Sequence, residues 1–284
     1  MAVSQADSRH VQQFRQMMLS ETGINLSASK DVMIESRLKR RLIALELNNL
    51  AEYFSYLFDA GGLESELPDI VDLLTTNKTD FFRENAHFDM LAERLIPEAL
   101  VRERPGRPVN FKVWSAASST GAEAWTIAMI LARATEADRR LNWKILGTDI
   151  SSRVLAIARR AIYAPSDMAP VPADMRAAYV MTGKGKHGED LCRIAPELRA
   201  RVRFAHLNLT DFPYVLEQGL DVVFLRNVLI YFKPELQRKV VAACARQLRP
   251  GGYLIVGHSE SMIVRQPDLM QVAPGVFCQE GRRI

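Results

Sequence analysis

The sequence has few cysteines and no long apolar run. Its 284 residues include three cysteines, Cys192, Cys244 and Cys278, which form no C-x-x-C pair and have no histidine cluster beside them. We therefore expect reduced thiols and no metal site. No apolar stretch approaches the roughly 20 residues that span a bilayer, and the N-terminus lacks the apolar core of a signal peptide. These absences predict a cytoplasmic protein without direct membrane insertion.

Neither sign of charge is in large excess. Lys and Arg number 37 against 33 Asp and Glu, which leaves a net charge of +4. This excess is too small to require a polyanionic partner, and we expect no nucleic acid. With 48% hydrophobic residues, the chain is long enough for one large globular domain or two smaller ones.

Helical periodicity without strand signals extends to about residue 85. Apolar residues recur at helical spacing in two stripes, at Val11, Phe14 and Met18 and at Ile34, Leu38, Leu42 and Leu45. This pattern predicts an all-α N-terminal domain over residues 1–85. A helical connector is expected over residues 86–109, because a breaker-rich Arg-Pro-Gly-Arg-Pro stretch closes it.

Strands alternate with helices in the remainder, residues 110–284. We predict strands at 111–116, 144–149, 202–207, 221–226 and 252–258, and helices at 122–134, 152–161 and 233–248. This alternation is typical of an α/β, Rossmann-like fold with a parallel sheet. The pattern breaks at about 164–201, where short strands at 178–182 and 191–195 flank Gly183–Gly188. A small antiparallel β-subdomain insertion is predicted there.

The turn after the first strand indicates a ligand site. Small residues at 117–121 let the backbone approach a ligand at the carboxyl edge of the sheet, and Asp149 ends the next strand, where an acid can bind a ribose diol. NAD enzymes, nucleotide hydrolases and methyltransferases share this pattern. The turn has neither G-x-G-x-x-G nor the Gly-Lys-Ser/Thr of a P-loop, which favours a ligand without phosphates. S-adenosylmethionine is such a ligand, and Glu123 is placed to contact its amino acid part.

Six segments carry a family resemblance. NKTDFFRE, VWSAASSTGAEAW, GTDIS, HLNLTDF, FLRNVLIYF and GGYLIVGHSES occur in this order between Asn77 and Ser261. In sequence and order they resemble the CheR-type chemoreceptor glutamate methyltransferases, whose helical N-terminal region is also similar. The resemblance implies an S-adenosylmethionine-dependent protein-glutamate O-methyltransferase that acts on chemoreceptor cytoplasmic helices in chemotaxis adaptation.

The resemblance also implies roles for individual residues. Asp149 would bind the ribose hydroxyls, Glu123 the methionyl side, and Asn208 and Leu209 the adenine. The full set of implied cofactor contacts is Asn77, Thr79, Arg83, Glu123, Asp149, Asn208, Leu209, Arg226 and Asn227. Arg83 would also lie beside the reacting methyl and the substrate carboxylate, and Tyr231 would bring a hydroxyl near the methyl. Packing alone is the alternative for Tyr231, and a structural salt bridge for Arg83 and Asp149.

One position departs from the family. The chain has Gly121-Ala122-Glu123-Ala124 where Gly-Glu-Glu-Pro is usual. We therefore place the ligand contact on Glu123 and expect Ala122 to mark the loss of a peripheral interaction. The departure is the only sequence feature that favours a non-catalytic module binding S-adenosylmethionine or S-adenosylhomocysteine. Methyl transfer to another substrate is a further alternative.

Two surface features suggest receptor contacts. Arg37, Arg40 and Arg41 share one helix face, which is either a solvated surface or a contact for an acidic partner such as the receptor helices. The loop Gly183–Gly188 is either an ordinary hairpin turn or, as in some family members, a site for a receptor C-terminal peptide. His206 and His258 lie at or beside strand ends and are expected to be structural.

Overall fold

The computed structural model describes residues 8–280, so that the outermost ends of the predicted domains, 1–7 and 281–284, lie outside the described residues. Four α-helices form the N-terminal part of this range: α1 (Ser8–Thr22), α2 (Asp31–Ala44), α3 (Leu50–Phe58) and α4 (Leu63–Leu74). Asn49 caps α3 by accepting a hydrogen bond from the backbone N–H of Glu52 at 3.0 Å. The predicted helical character is confirmed, and residues 8–74 contain no strand.

The two predicted apolar stripes meet in the core of this region. Phe14 and Met18 of α1 are buried with Ile34 and Leu38 of α2 and with Phe54 of α3. Phe14 and Phe54 lie with their ring centroids 4.9 Å apart. Burying such side chains contributes about 2 kcal/mol each, which stabilises helices too short to persist alone.

An interrupted helix leads into the second region. It consists of α5 (Ala86–Met90), a π-helical turn (Leu91–Leu95) and α6 (Ile96–Arg102). Phe88, Leu91 and Leu95 are buried in the core beneath the main sheet. The connector therefore packs against the sheet rather than crossing solvent.

Seven strands form the main sheet. In chain order they are β1 (Val109–Ala116), β2 (Leu141–Asp149), β6 (Val202–His206), β7 (Leu220–Leu225), β8 (Leu248–Val256), β9 (Leu269–Ala273) and β10 (Val276–Gln279). Their spatial order is β6-β2-β1-β7-β8-β10-β9, and the first five are parallel. Helices α7 (Ala122–Ala137), α8 (Ser152–Arg160) and α11 (Pro234–Ala245) connect these parallel strands. The predicted Rossmann-like fold is confirmed.

Strand β1 is the centre from which the strand order runs both ways. Ala116 pairs with Thr148 of β2 on one side and with Leu225 of β7 on the other. The carboxyl ends of three strands therefore meet at one edge, where an open α/β sheet binds its ligand. The sequence-based prediction missed the antiparallel pair β9 and β10, because neither Leu-Met-Gln-Val-Ala nor Val-Phe-Cys-Gln alternates apolar with polar residues.

A second sheet has three antiparallel strands. They are β3 (Ile162–Tyr163), β4 (Val180–Lys184) and β5 (Asp190–Ile194), with β5 in the middle. The predicted hairpin is present as β4 and β5, but β3 was not anticipated. The predicted strand at 178–182 begins too early, because Tyr179 ends helix α9 (Ala173–Tyr179) and donates to Glu136 on α7 at 2.7 Å. The short helix α10 (Pro196–Arg199) follows this sheet.

Over residues 8–280, the structure contains no helix that is both long enough and apolar enough to cross a membrane.

Candidate functional site

A cavity opens at the carboxyl edge of the main sheet. It encloses about 920 Å³, part of it open to solvent. Its walls come from the helical region, the segment after α4, and the loops after β1, β2, β6 and β7. The lining side chains that concern us are Thr22, Ile24, Asn77, Thr79, Arg83, Glu123, Asp149, Asn208, Leu209, Arg226, Asn227 and Tyr231.

The cavity brings together all nine predicted cofactor residues and Tyr231. These residues span the sequence from 77 to 231, so that tertiary structure alone joins them. Their individual contacts with a cofactor remain predictions.

The turn after β1 is built from left-handed backbone. Ala117 and Ser119 have φ angles of 58° and 51°, and Gly121 has a φ of 88°. A Cβ at Gly121 would lie 2.9 Å from the Cβ of Ala158, so that both backbone and space require glycine. The turn folds back onto β2, where the N–H of Ser119 donates to Asp149 Oδ2 at 2.9 Å.

Asp149 is held firmly at the end of β2. Its side chain is buried, and its second oxygen, Oδ1, accepts from the N–H of Ser151 at 3.0 Å. Burial raises the pKa of Asp149, and the hydrogen bonds from Ser151 and Ser119 oppose that rise. Each carboxylate oxygen has a second lone pair. Asp149 can therefore accept hydrogen bonds from a diol without giving up its backbone partners.

Arg226 is a deeply buried charged group of the cavity wall. Its side chain is 2% exposed, and its Nη1 donates to Glu123 Oε2 at 2.9 Å. Ser115 holds the other oxygen of Glu123 at 2.7 Å. Within residues 8–280, the Nε of Arg226 is buried without a hydrogen-bond partner. The wall therefore carries a fixed cation with one unused donor.

Ala122 does not line this cavity. Its side chain is 3% exposed and packs in the core of the sheet region. Glu123, one residue later, does line it. The departure from the family motif therefore lies behind the cavity wall.

The polar segment NKTDFFRE, residues 77–84, lies across the carboxyl edge of the main sheet, beside the cavity. Ser119 donates to the carbonyl of Asn77 at 2.7 Å, and the N–H of Phe82 donates to Thr126 at 3.2 Å. Phe81 is buried with its ring edge-on to Tyr163 at 5.1 Å. The two aromatics anchor the segment to the sheet region, while Arg83 faces the cavity and donates to the carbonyl of Lys78 at 3.1 Å.

The sequence-based prediction missed the helical region's share of the cavity. Thr22 and Ile24 line it, and the amide of Asn208 donates to the carbonyl of Glu21 at 2.6 Å. Between them Gly23, with φ 72°, lies so close to α11 that a Cβ would be 2.5 Å from Leu236. A glycine at the end of a helix, such as Gly23, can be recognised in the sequence. Its contact with Leu236 of α11 cannot.

The three predicted receptor-binding arginines lie outside the cavity. Arg37 donates to the carbonyls of Leu73, Leu74 and Thr75 and so caps the end of α4. Arg41 forms a bidentate ion pair with the buried Glu66, at 2.7 Å for both bonds, and a third contact with Asp69. Arg40 is exposed and has no ion-pair partner within residues 8–280. Of the three arginines predicted to share one helix face, Arg37 and Arg41 therefore have structural partners, and Arg40 faces solvent.

Three potential metal ligands cluster beside the cavity. Glu84, His87 and His258 place one ligand atom each within 4.8 Å of the others. Arg226, however, forms an ion pair with Glu84 at 3.2 Å. Burial and this nearby guanidinium lower the pKa of His87 to about 4. Because the guanidinium of Arg226 already neutralises the carboxylate of Glu84, we interpret the cluster as an ion-pair network.

Comparison with known families decides the identity of the fold and its ligand. Residues 77–276 match the family described as "CheR methyltransferase, SAM binding domain", and residues 9–75 match "CheR methyltransferase, all-alpha domain". This chain belongs to the CheR methyltransferase family. The resemblance seen in the sequence is confirmed.

Curated relatives agree with this assignment. Chemotaxis protein methyltransferase 2 of Pseudomonas aeruginosa is 38% identical over 253 residues, covering 89% of this chain and 86% of that protein. The chemotaxis protein methyltransferase of Salmonella typhimurium is 38% identical over 259 residues, covering 90% and 86%. That of Escherichia coli is 36% identical over 252 residues, covering 89% and 84%.

The chain is therefore an S-adenosylmethionine-dependent methyltransferase of chemotaxis. The cavity fits this cofactor, because Asp149 offers acceptors for a ribose diol. When bound, S-adenosylmethionine supplies a methyl group carried on a positively charged sulfonium.

Proposed function

We propose that this protein methylates glutamate side chains of chemoreceptor cytoplasmic domains, giving glutamyl methyl esters for chemotaxis adaptation. The observation that supports this most is the convergence of Arg83 and Tyr231 with the cofactor residues on one cavity. An arginine and a phenol at the mouth of a methyl-donor site suit an anionic oxygen nucleophile.

A glutamate substrate needs no general base. Its carboxyl has an ordinary pKa of about 4.3, so that it is already ionised and nucleophilic at neutral pH. No histidine is among the described residues that line the cavity. The chain's contribution is then to hold the oxygen in line with the methyl group and to limit water, and alignment of this kind accelerates reactions strongly.

Arg83 would orient the substrate carboxylate. The carboxylate loses negative charge as it reacts, so a tight bidentate clamp would stabilise the ground state more than the transition state. The arrangement fits a weaker contact with the carboxylate, because Nη1 of Arg83 already donates a hydrogen bond to the carbonyl of Lys78. Arg83→Ala is expected to reduce turnover by about a hundredfold, as for other losses of alignment. Near-normal methyl transfer by the folded variant would contradict this role.

Tyr231 would place its hydroxyl beside the methyl group or the substrate oxygen. It belongs to a short 3-10 turn (Leu229–Tyr231) in the loop that follows β7, and its side chain is only partly buried. Tyr231→Phe removes the hydroxyl and keeps the ring. A lower kcat with unchanged cofactor affinity supports the role, whereas unchanged kinetics would leave Tyr231 with packing alone.

Receptor recognition would use surfaces away from the cavity. On α2, Arg40 is the arginine free to meet the acidic helices that carry the substrate glutamates. The loop Gly183–Gly188 extends from the exposed end of β4 and β5, where Lys184 pairs with Asp190 at 2.7 Å. We include in the proposal that this loop binds a receptor C-terminal peptide where the receptor has one.

The decisive experiment incubates the protein with methyl-labelled S-adenosylmethionine and purified receptor cytoplasmic fragments, with and without their C-terminal tails. Label that alkali releases as methanol, and that maps to glutamate, supports the proposed reaction. Dependence of the rate on the tail supports the role of the loop. Stable label would indicate another substrate group, and tight cofactor binding without transfer would indicate a non-catalytic module.

A further inference from the structure

Glu84 connects three elements at the cavity mouth. Its Oε1 accepts from the side-chain amide of Asn227 at 3.1 Å. Its Oε2 accepts from the backbone N–H of His258 at 3.2 Å and pairs with Arg226 at 3.2 Å. The carboxylate therefore joins the segment 77–84 to the ends of β7 and β8.

The backbone around Arg83 is strained. Phe82 and Glu84, on either side of it, have φ angles of 54° and 55°, in the left-handed region that bulky residues rarely adopt. Each such residue costs about 1 kcal/mol or more, and it persists only where surrounding contacts impose it. A turn of this kind, formed without glycine, therefore depends on neighbouring contacts that stabilise its left-handed backbone.

The side chain of Glu84 supplies that anchor as an ionised group. Burial raises its pKa, but the hydrogen bond from Asn227 and the charge of Arg226 outweigh burial, so that the net pKa is lowered. Arg226 also donates to the backbone carbonyl of Arg83. Glu84 and Arg226 thus fix the peptide that carries Arg83 from two directions.

We propose that Glu84 is a positioning residue, whose carboxylate holds the strained turn that presents Arg83 to the substrate. This inference rests on the proposed function for the role of Arg83. Glu84 does not line the cavity, so it acts through the turn rather than on substrate or cofactor.

Three variants separate the effect of the carboxylate from the effect of the backbone strain. Glu84→Gln keeps the volume but removes the charge opposite Arg226. Glu84→Gly removes the carboxylate and also relieves the left-handed strain. Glu46→Gln is the matched control, because Glu46 has a φ of 57° but is exposed and far along the chain from the cavity segment.

The measurements are kcat and KM for labelled methyl transfer, S-adenosylhomocysteine affinity by calorimetry, and hydrogen exchange of residues 77–88. For Glu84→Gln and Glu84→Gly we expect kcat to fall by about tenfold or more, with a smaller change in affinity and faster exchange confined to this segment. Glu46→Gln should match the wild type in all three. If Glu84→Gln does not bind S-adenosylhomocysteine at all, Glu84→Asp, which keeps the charge but shortens the reach, is measured in its place.

A wild-type kcat in Glu84→Gln would overturn the proposal. Full activity in Glu84→Gly would also overturn it, because the carboxylate would then not be needed to present Arg83. Uniformly faster exchange would indicate a general structural role and would also reject it. If the wild type transfers no methyl to receptor fragments, the proposed function fails. Hydrogen exchange in Glu84→Gln then still shows whether the carboxylate holds the turn.

Discussion

The carboxyl edge of the sheet and the helical region at residues 8–74 differ in how well the sequence predicts their contribution to the cavity. At the sheet edge, residues from the ends of β1, β2, β6 and β7 converge on the cavity, as their positions after strands predict. In the helical region, the conspicuous arginines lie elsewhere, and the cavity instead receives the inconspicuous Thr22 and Ile24.

The difference lies in what each architecture constrains. In a parallel sheet, pairing fixes the register and direction of strands, so that residues after strand ends must be neighbours. A helix fixes only which of its own residues share a face. Which neighbour that face meets depends on packing, and α4 provides Glu66, Asp69 and terminal carbonyls for Arg37 and Arg41.

The largest effect should come from the sheet edge. Arg226→Ala leaves the partly buried carboxylates of Glu84 and Glu123 without their shared cation, which for a buried pair costs about 3 kcal/mol or more. We expect a lower free energy of unfolding in urea and loss of S-adenosylhomocysteine binding by calorimetry. Normal cofactor affinity in the variant would show that Arg226 does not contribute to cofactor binding.

A smaller effect should come from the contact between the two regions. Gly23→Ala puts a Cβ 2.5 Å from Leu236 at a φ of 72°. Overpacking and left-handed strain together predict a loss of about 2 kcal/mol. Cofactor affinity should fall as well, because Thr22 and Ile24 line the cavity.

Gly61→Ala is the control for Gly23→Ala. Gly61 has a φ of 78°, but a Cβ at this position would meet no atom within 4 Å, so that only the backbone strain, about 1 kcal/mol, applies. Equal effects of the two substitutions on stability, together with unchanged cofactor affinity, would show that the helical region is not part of the cofactor site.

The smallest effect is expected on the surface of α2. Arg40→Glu should leave the melting temperature unchanged and raise the KM for receptor fragments about two- to fivefold at low salt, since exposed ion pairs contribute at most about 1 kcal/mol. The difference should fade as salt is added. Arg203→Glu makes the same charge change on exposed β6 and should have no effect on KM. If both variants behave alike, α2 does not recognise the receptor.

Much of the site could be predicted because its residues follow secondary structure. Asp149 at the end of β2 and the small-residue turn after β1 are visible in the sequence, and the structure connects them through Ser119. Glu84 was not recognised, because its partners Asn227 and His258 are more than 140 residues away. The third strand of the small sheet was also missed, since Ile162–Tyr163 has only two residues.

By itself the sequence determined the fold class, the cofactor and the family, because strand periodicity, strand-end residues and six ordered motifs are local properties of the chain. Only the tertiary structure decided which charged side chains are free to contact a partner. Burial and pairing are set by distant residues, so that Arg37 and Arg41 are engaged by α4 while Arg40 faces solvent. The same reason makes Glu84, one residue from Arg83, the anchor of the cavity mouth.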